Sequence, residues 1–163
     1  MRELSISIFH FSPALIVFLH VISAIIWVGG MIAIRFAVHY SMAKIEDPKI
    51  KLGRTLEYLI RFFKMVIPSI FILLITAIIM IFAYDFKNTS FHYVVVFKEV
   101  IWMTMAAIFA VIYSKRSKAQ KAFDQDDFKT AKFYLAPIAS WMIPVNIFLG
   151  IIALYIGITL RGL

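Results

Sequence analysis

Two ionisable side chains, His20 and Lys98, interrupt long apolar stretches of this sequence at matching positions. His20 is seven residues past Pro13 and Lys98 is seven past Phe91, so helices that begin there would place both groups about 10 Å below one membrane surface. An imidazole or ammonium group in hydrocarbon must face protein or water and find a partner. We therefore predict that His20 and Lys98 share a site within a helical bundle.

Both residues also have a purely structural explanation. A single membrane histidine often hydrogen-bonds a neighbouring helix, and a lysine can extend its side chain to the membrane interface. Glu99 follows Lys98 directly, and on a helix it is turned about 100° away, so the two should not pair. Glu99 would then carry protons or lie near the lipid headgroups.

Haem ligation is the chemistry that best suits the pair. Haem iron takes axial nitrogen or sulfur donors from facing helices, and its propionates need cations nearby. His20 would supply one axial donor, and Lys98 or His92 would supply the second. As a cation beside the cofactor, Lys98 is alternatively a catalytic residue. Cations for the propionates are available on the same side of the membrane: Arg2, His10 and Lys87.

The helix face that carries His20 continues as a stripe of small and aromatic residues. At helical spacing this stripe comprises Ser23, Ala24, Trp27, Gly30 and Met31. Small residues let a neighbouring backbone approach, which by itself would explain Gly30. Beside a buried histidine the same groove would accept a flat macrocycle, so we predict that Trp27 and Gly30 contact the cofactor. The third span carries a comparable stripe: Lys98, Trp102 and Met105.

Copper is the alternative metal, because the chain has eight Met and four His. The methionines are scattered without a paired ligand motif, as packing residues would be: Met31, Met65, Met80, Met103, Met105 and Met142. His10 and His92, both near the outer boundary, are candidates for a second metal site. The sequence has no Cys, which excludes disulfides, thiolate metal sites and iron–sulfur clusters.

The composition indicates that the helices carrying these residues lie in lipid. Of 163 residues, 63% are hydrophobic and 16% are charged, and the mean hydropathy is +0.91. The formal charge of +8 would raise the question of nucleic acid in a soluble domain. Here the basic residues gather in two short stretches between apolar segments, as expected beside anionic lipid, and we expect no nucleic-acid partner.

Four apolar segments predict an all-α integral membrane protein, a single domain of residues 1–163 built as a four-transmembrane-helix bundle. The predicted spans are residues 13–36, 65–84, 91–113 and 133–160. Ser12 and Pro13 are typical of a helix start, Asp47-Pro48 breaks the segment before span two, and Pro137 and Pro144 should bend span four.

Charge predicts the orientation. The two segments between the first and second and between the third and fourth spans carry twelve Lys and Arg, whereas the other side has only Arg2, Lys87 and Arg161. The positive-inside rule therefore places both basic segments in the cytoplasm and both termini outside, N-out and C-out. We expect a multi-pass protein of a bacterial-type inner (plasma) membrane.

The run from His20 to Met31, with Trp27 seven residues after the histidine and Gly30 three residues later, resembles the group of HemJ-type protoporphyrinogen oxidases and CopD-type copper-resistance membrane domains. In the HemJ family a lysine of the third helix is the other hallmark, and it falls here on Lys98. The four helices and the chain length agree as well. The charged fourth-helix element of that family is missing from residues 139–146, and Arg35 stands one residue early.

The resemblance implies haem b binding with His20 as an axial ligand, Lys98 as ligand or active-site cation, and oxidation of protoporphyrinogen IX coupled to quinone or another acceptor. Partners implied are membrane lipid and a porphyrin or quinone-like small molecule, and pairing of two chains as a homo-oligomer stays open. The CopD side of the resemblance implies the alternative, a copper-handling or copper-transporting membrane protein without catalysis.

Overall fold

The structure, a computed structural model, describes residues 2–86, 89 and 91–160. Within these residues five helices follow one another: α1 (Arg2–Phe11), α2 (Pro13–Ala43), α3 (Pro48–Ala83), α4 (His92–Asp124) and α5 (Phe128–Thr159). This part of the chain contains no strand. The helices α2 to α5 are each long and apolar enough to cross a membrane, which confirms the predicted all-α four-helix fold.

The helices are longer than the apolar spans that the sequence marks. Helix α3 begins at Pro48 rather than at residue 65, and α4 continues to Asp124 rather than ending at residue 113. Their basic extensions keep the helical repeat, with Leu52, Leu56 and Leu59 buried on one face. Hydropathy therefore located the membrane-crossing parts of helices that continue beyond them.

Aspartates cap the first turns of α3 and α5. The Asp47 carboxylate accepts hydrogen bonds of 2.7 and 3.1 Å from the second and third backbone amides of α3, and Pro48 occupies the first helical position. Asp127 caps α5 in the same way through a 3.0 Å bond. Ser12 stands at the predicted cap position before Pro13, but its hydroxyl makes no capping hydrogen bond.

Three π-helical turns interrupt the α-helical pattern of the described residues. Two lie in α2, at Ile25–Gly29 and Ile34–Val38, and one lies in α5, at Ile138–Met142. The turn in α5 falls between Pro137 and Pro144, where proline rings remove backbone donors and strain the regular ladder. The predicted disruption of the fourth span thus takes the form of a wider helical turn that leaves the helix continuous.

The four long helices form one antiparallel bundle around a shared core. Lys98 lies beside Gly157 and Met105 beside Gly150, which shows that α4 and α5 run in opposite directions. Buried side chains from all four helices meet in one cluster that includes Trp27, Phe63, Phe109, Leu135 and Ile147. We call the end where α2 begins and α5 ends the terminal end, and the end with the α2–α3 and α4–α5 connections the basic end.

Helix α1 was not predicted from the sequence, and it packs across the terminal end of the bundle. Phe9 is buried against Ile16 of α2 and Ile79 of α3. The Arg2 guanidinium lies 3.2 Å from the Asp85 carboxylate, just beyond α3. The short helix therefore covers apolar surface at the terminal end of the bundle.

Candidate functional site

His20 is held in place by a hydrogen bond to the neighbouring helix. Its Nδ1 atom lies 2.8 Å from the Oγ1 atom of Thr76 on α3. The Thr76 hydroxyl also lies 2.6 Å from the backbone carbonyl oxygen of Ile72, which can only accept. The single hydroxyl proton is therefore donated to Ile72, and the Nδ1–H of His20 donates to Thr76.

This arrangement decides which ring nitrogen of His20 is available. With the proton on Nδ1, the Nε2 atom of the neutral imidazole carries a lone pair. No hydrogen bond to Nε2 exists among the residues that the structure describes, and the His20 ring is only partly buried. A hydrogen bond at one ring nitrogen that orients the other is the usual support for a metal-ligating histidine.

Lys98 lies against α5. A methyl group added at Gly157 would lie 2.9 Å from the Lys98 Nζ atom, so the ammonium group rests where α5 has no side chain. Within residues 2–86, 89 and 91–160, Lys98 forms neither an ion pair nor a hydrogen bond. The adjacent Glu99 is exposed on another face of α4.

The four long helices each contribute one residue to this level of the bundle. His20 meets Thr76, and Lys98 meets Gly157. Both contacts lie in the terminal half of the bundle, and a site shared by His20 and Lys98 stays a prediction. We call these four residues the His20–Lys98 site; it offers a lone pair and a cation in the terminal half of the bundle.

Two further donors lie deeper along the same helix faces. Trp102 is one turn beyond Lys98, and Trp27 is two turns beyond His20. The indole Nε1 atoms of both residues are buried and have no hydrogen-bond partner within the described residues. Buried N–H groups are nearly always paired, so these two mark positions where a water molecule or a ligand oxygen would be stabilised.

The predicted groove beyond His20 is filled by protein side chains. Trp27 is 1% exposed and packs edge-to-face against Phe109 of α4, with ring centroids 6.3 Å apart. The open side of Gly30 is covered by the ring of Phe62 from α3. A macrocycle lying on Gly30 would have to displace Phe62. Trp27 and Gly30 are thus packed tightly against neighbouring helices. Their role as cofactor contacts stays a prediction.

The other predicted ligands and cations lie at the terminal end. His92 is partly buried at the first position of α4, six residues before Lys98, and its ring contacts that of Tyr93 at 5.6 Å. His10 is exposed at the end of α1. Arg2 is already paired with a carboxylate. Lys87 and Arg161 lie outside the described residues.

The methionines that the structure describes are divided between the core and the outer surface of the bundle. Met31, Met105 and Met142 are buried in the common core, whereas Met65 and Met103 are each 56% exposed on the outer surface of the bundle. No group of three or more His, Asp or Glu side chains that could hold a metal ion occurs in the described part of the chain. Haem ligation needs only one or two protein donors, so it does not depend on such a group.

Comparisons with protein-family models, characterised proteins and solved structures give no match to this chain.

Sequence reasoning located His20 and Lys98 but missed Thr76 and Gly157. Thr76 is the only polar residue in the run from Ile70 to Ala83, and a hydroxyl in a membrane helix usually bonds its own backbone, as this one also does. Its depth along the helix could have identified it, because an antiparallel α3 brings residue 76 beside residue 20. Gly157 had no distinguishing signal among the small residues of α5.

Proposed function

We propose that this chain is a membrane haem protein in which His20 is an axial ligand. The observation that carries the proposal is the hydrogen bond from Nδ1–H of His20 to Thr76, because it leaves Nε2 as a lone pair directed away from α3. Bound haem b would supply one-electron redox chemistry, and the chain's own residues would bind and orient it.

Lys98 has two candidate roles beside such a ligand. Its amine is either the second axial donor or a cation that attracts a carboxylate of the haem or of a porphyrin substrate. Lys98 forms no ion pair among the described residues, which supports the second role because its ammonium group is left to attract a ligand carboxylate. The indole N–H groups of Trp27 and Trp102 would donate to further ligand oxygens on the same side.

The resemblance to HemJ-type enzymes directs the choice of reaction to test. Protoporphyrinogen IX, a porphyrin precursor that loses electrons and protons on oxidation, would be the electron donor, and quinone or another membrane carrier would be the acceptor. This chain lacks the charged fourth-helix element of that family. We therefore propose electron transfer through haem in general, and protoporphyrinogen oxidation as its specific form. Both belong to a multi-pass protein of a bacterial-type inner membrane with its termini outside.

The experiment compares haem content among histidine variants purified side by side. We expect His20→Ala to lose most of its haem, whereas His39→Ala, which removes an exposed histidine at the basic end, keeps the wild-type content. His92→Ala separates the two candidates for the second ligand, because loss of haem there assigns His92 and retention favours Lys98. Helical circular dichroism and a single elution peak check folding.

Full haem occupancy in His20→Ala would contradict the ligand assignment. Metal analysis of the wild-type protein that finds copper and no haem would replace the proposal with the copper-handling alternative.

A further inference from the structure

A small cavity opens between α2, α3 and α5 at the basic end, far from the His20–Lys98 site. Its volume is about 20 Å³. Four polar residues contribute to its wall: Arg35, His39, Thr55 and Tyr58. The remaining lining is apolar and comes mainly from α5, whereas the polar groups come from α2 and α3.

Two π-helical turns meet at this cavity. The turn at Ile34–Val38 in α2 carries Arg35, and the turn at Ile138–Met142 in α5 carries Ile138 and Ala139 of the opposite wall. A π turn inserts one extra residue and redirects the side chains around it, and such turns occur frequently at functional sites. Two of the three π turns in the described residues therefore shape one cavity.

Arg35 differs from the other arginines that the structure describes. Arg54 and Arg61 both pair with Glu57, and Arg116 donates to a backbone carbonyl and to a glutamine. Arg2 pairs with Asp85 at the other end of the molecule. Arg35 alone among these has no ion pair or hydrogen bond within the described residues, and no carboxylate lines the cavity beside it.

We propose that the mouth of this cavity binds a phosphate-type anion through Arg35, with His39 as a further donor. A cavity of about 20 Å³ holds roughly one water molecule, so the anion itself lies at the mouth, where Arg35 is partly exposed and His39 is exposed. Guanidinium groups bind phosphate oxygens in a bidentate manner. Basic pockets between membrane helices at such a level are typical of sites for anionic lipid headgroups.

The test measures ligand-dependent thermal stability of the full chain in neutral detergent. The probes are a short-chain phosphatidylglycerol, a short-chain phosphatidylcholine and inorganic phosphate. We expect phosphatidylglycerol to raise the Tm in a saturable way and Arg35→Gln to weaken its apparent affinity about ten-fold or more, because charge-assisted hydrogen bonds are lost. Arg61→Gln removes the same charge at the same end, outside the cavity, and should leave the affinity within about two-fold of wild type.

The probes also identify the source of the anion. Saturation by the lipid but not by inorganic phosphate assigns a lipid headgroup, and Arg35-dependent saturation by inorganic phosphate assigns a free anion; either supports the site. If Arg35→Gln does not fold, His39→Gln, which alters an exposed residue, should weaken binding in the same direction. Equal affinities of wild type and both cavity variants, an equal loss in Arg61→Gln, or equal Arg35-independent binding of both lipids would overturn the proposal.

Discussion

The imidazole of His20 donates a 2.8 Å hydrogen bond to the hydroxyl of Thr76, which in turn donates to the backbone of its own helix. These two hydrogen bonds place the proton on Nδ1 of His20 and fix the orientation of its ring. The proposed ligand role of His20 depends on this relationship, because a neutral imidazole binds a metal through the nitrogen that lacks a proton.

Replacement of Thr76 by Val should weaken haem binding without unfolding the bundle. Valine keeps the shape but removes the acceptor for Nδ1–H, and loss of such a partner typically reduces metal affinity by about 10- to 100-fold. Haem per chain, measured during dilution into haem-free detergent, reports the change. Thr104→Val is the matched control, since the Thr104 hydroxyl also bonds its own helix but is exposed on α4. Equal haem loss in the two variants would show that Thr76 does not act through His20.

Replacement by alanine should lower stability at Gly150 of α5 but hardly change it at Gly157. At Gly150 the new methyl group would lie 2.7 Å from Val28 and 3.2 Å from Met105, within a packed core, so we expect a loss of about 1–3 kcal/mol in stability. At Gly157 it would meet only the flexible end of Lys98, at 2.9 Å, and stability should hardly change.

The Gly157→Ala variant should nevertheless displace the Lys98 ammonium from its position. Haem content or the haem absorption spectrum would then change while the Tm stays near that of wild type. Thermal unfolding and absorption spectra of both alanine variants check the pair of expectations. A large loss of stability in Gly157→Ala with none in Gly150→Ala would contradict the tight packing at Gly150 and the open position at Gly157.

The cap of α5 should make stability depend on acid pH. Hydrogen bonds from the Thr130 side chain, and then from its backbone amide, hold the pKa of Asp127 below its ordinary value of 3.8. Because the folded-state pKa is depressed, the stabilisation is present above pH 3.8 and is lost as the pH falls through the lower folded-state value. Asp127→Asn keeps an amide cap but cannot titrate, so the stability difference between wild type and variant should shrink in this window. A difference that is constant from pH 2 to pH 7 would count against the cap.

The predicted topology can be tested with single cysteines, since the chain has none of its own. Lys118→Cys at the basic end should be protected from a membrane-impermeant maleimide in intact cells, and Glu3→Cys at the terminal end should react. Both positions are exposed in the structure, so burial would not cause the difference. Labelling of Lys118→Cys alone would reverse the predicted orientation.

Much of the fold was predictable because hydropathy and helix-start chemistry act locally. Asp47-Pro48 was predicted to break the chain before the second span, and α3 begins there because a carboxylate cap followed by proline suits the first turn of a helix. Helix α1 was not predicted because its ten residues are stabilised by the packing of Phe9 on α2 and α3. Local sequence patterns do not indicate such a tertiary contact.

The site was predictable only in its ionisable members. His20 and Lys98 stand out because such groups are costly in lipid. Thr76 and Gly157 matter through their neighbours on other helices, and only the antiparallel arrangement brings them to the same level. Trp27 and Gly30 show the opposite case, because a stripe that suits a macrocycle also suits Phe62 and Phe109, and side chains of the bundle occupy that space.

The most direct test of the central claim is a reduced-minus-oxidised absorption spectrum of the wild-type protein, purified after expression with adequate haem supply, together with a pyridine haemochrome assay. The proposal predicts b-type bands and haem at a fixed ratio to the chain, with the bands largely lost in His20→Ala. Absence of haem from the folded wild-type protein would contradict it.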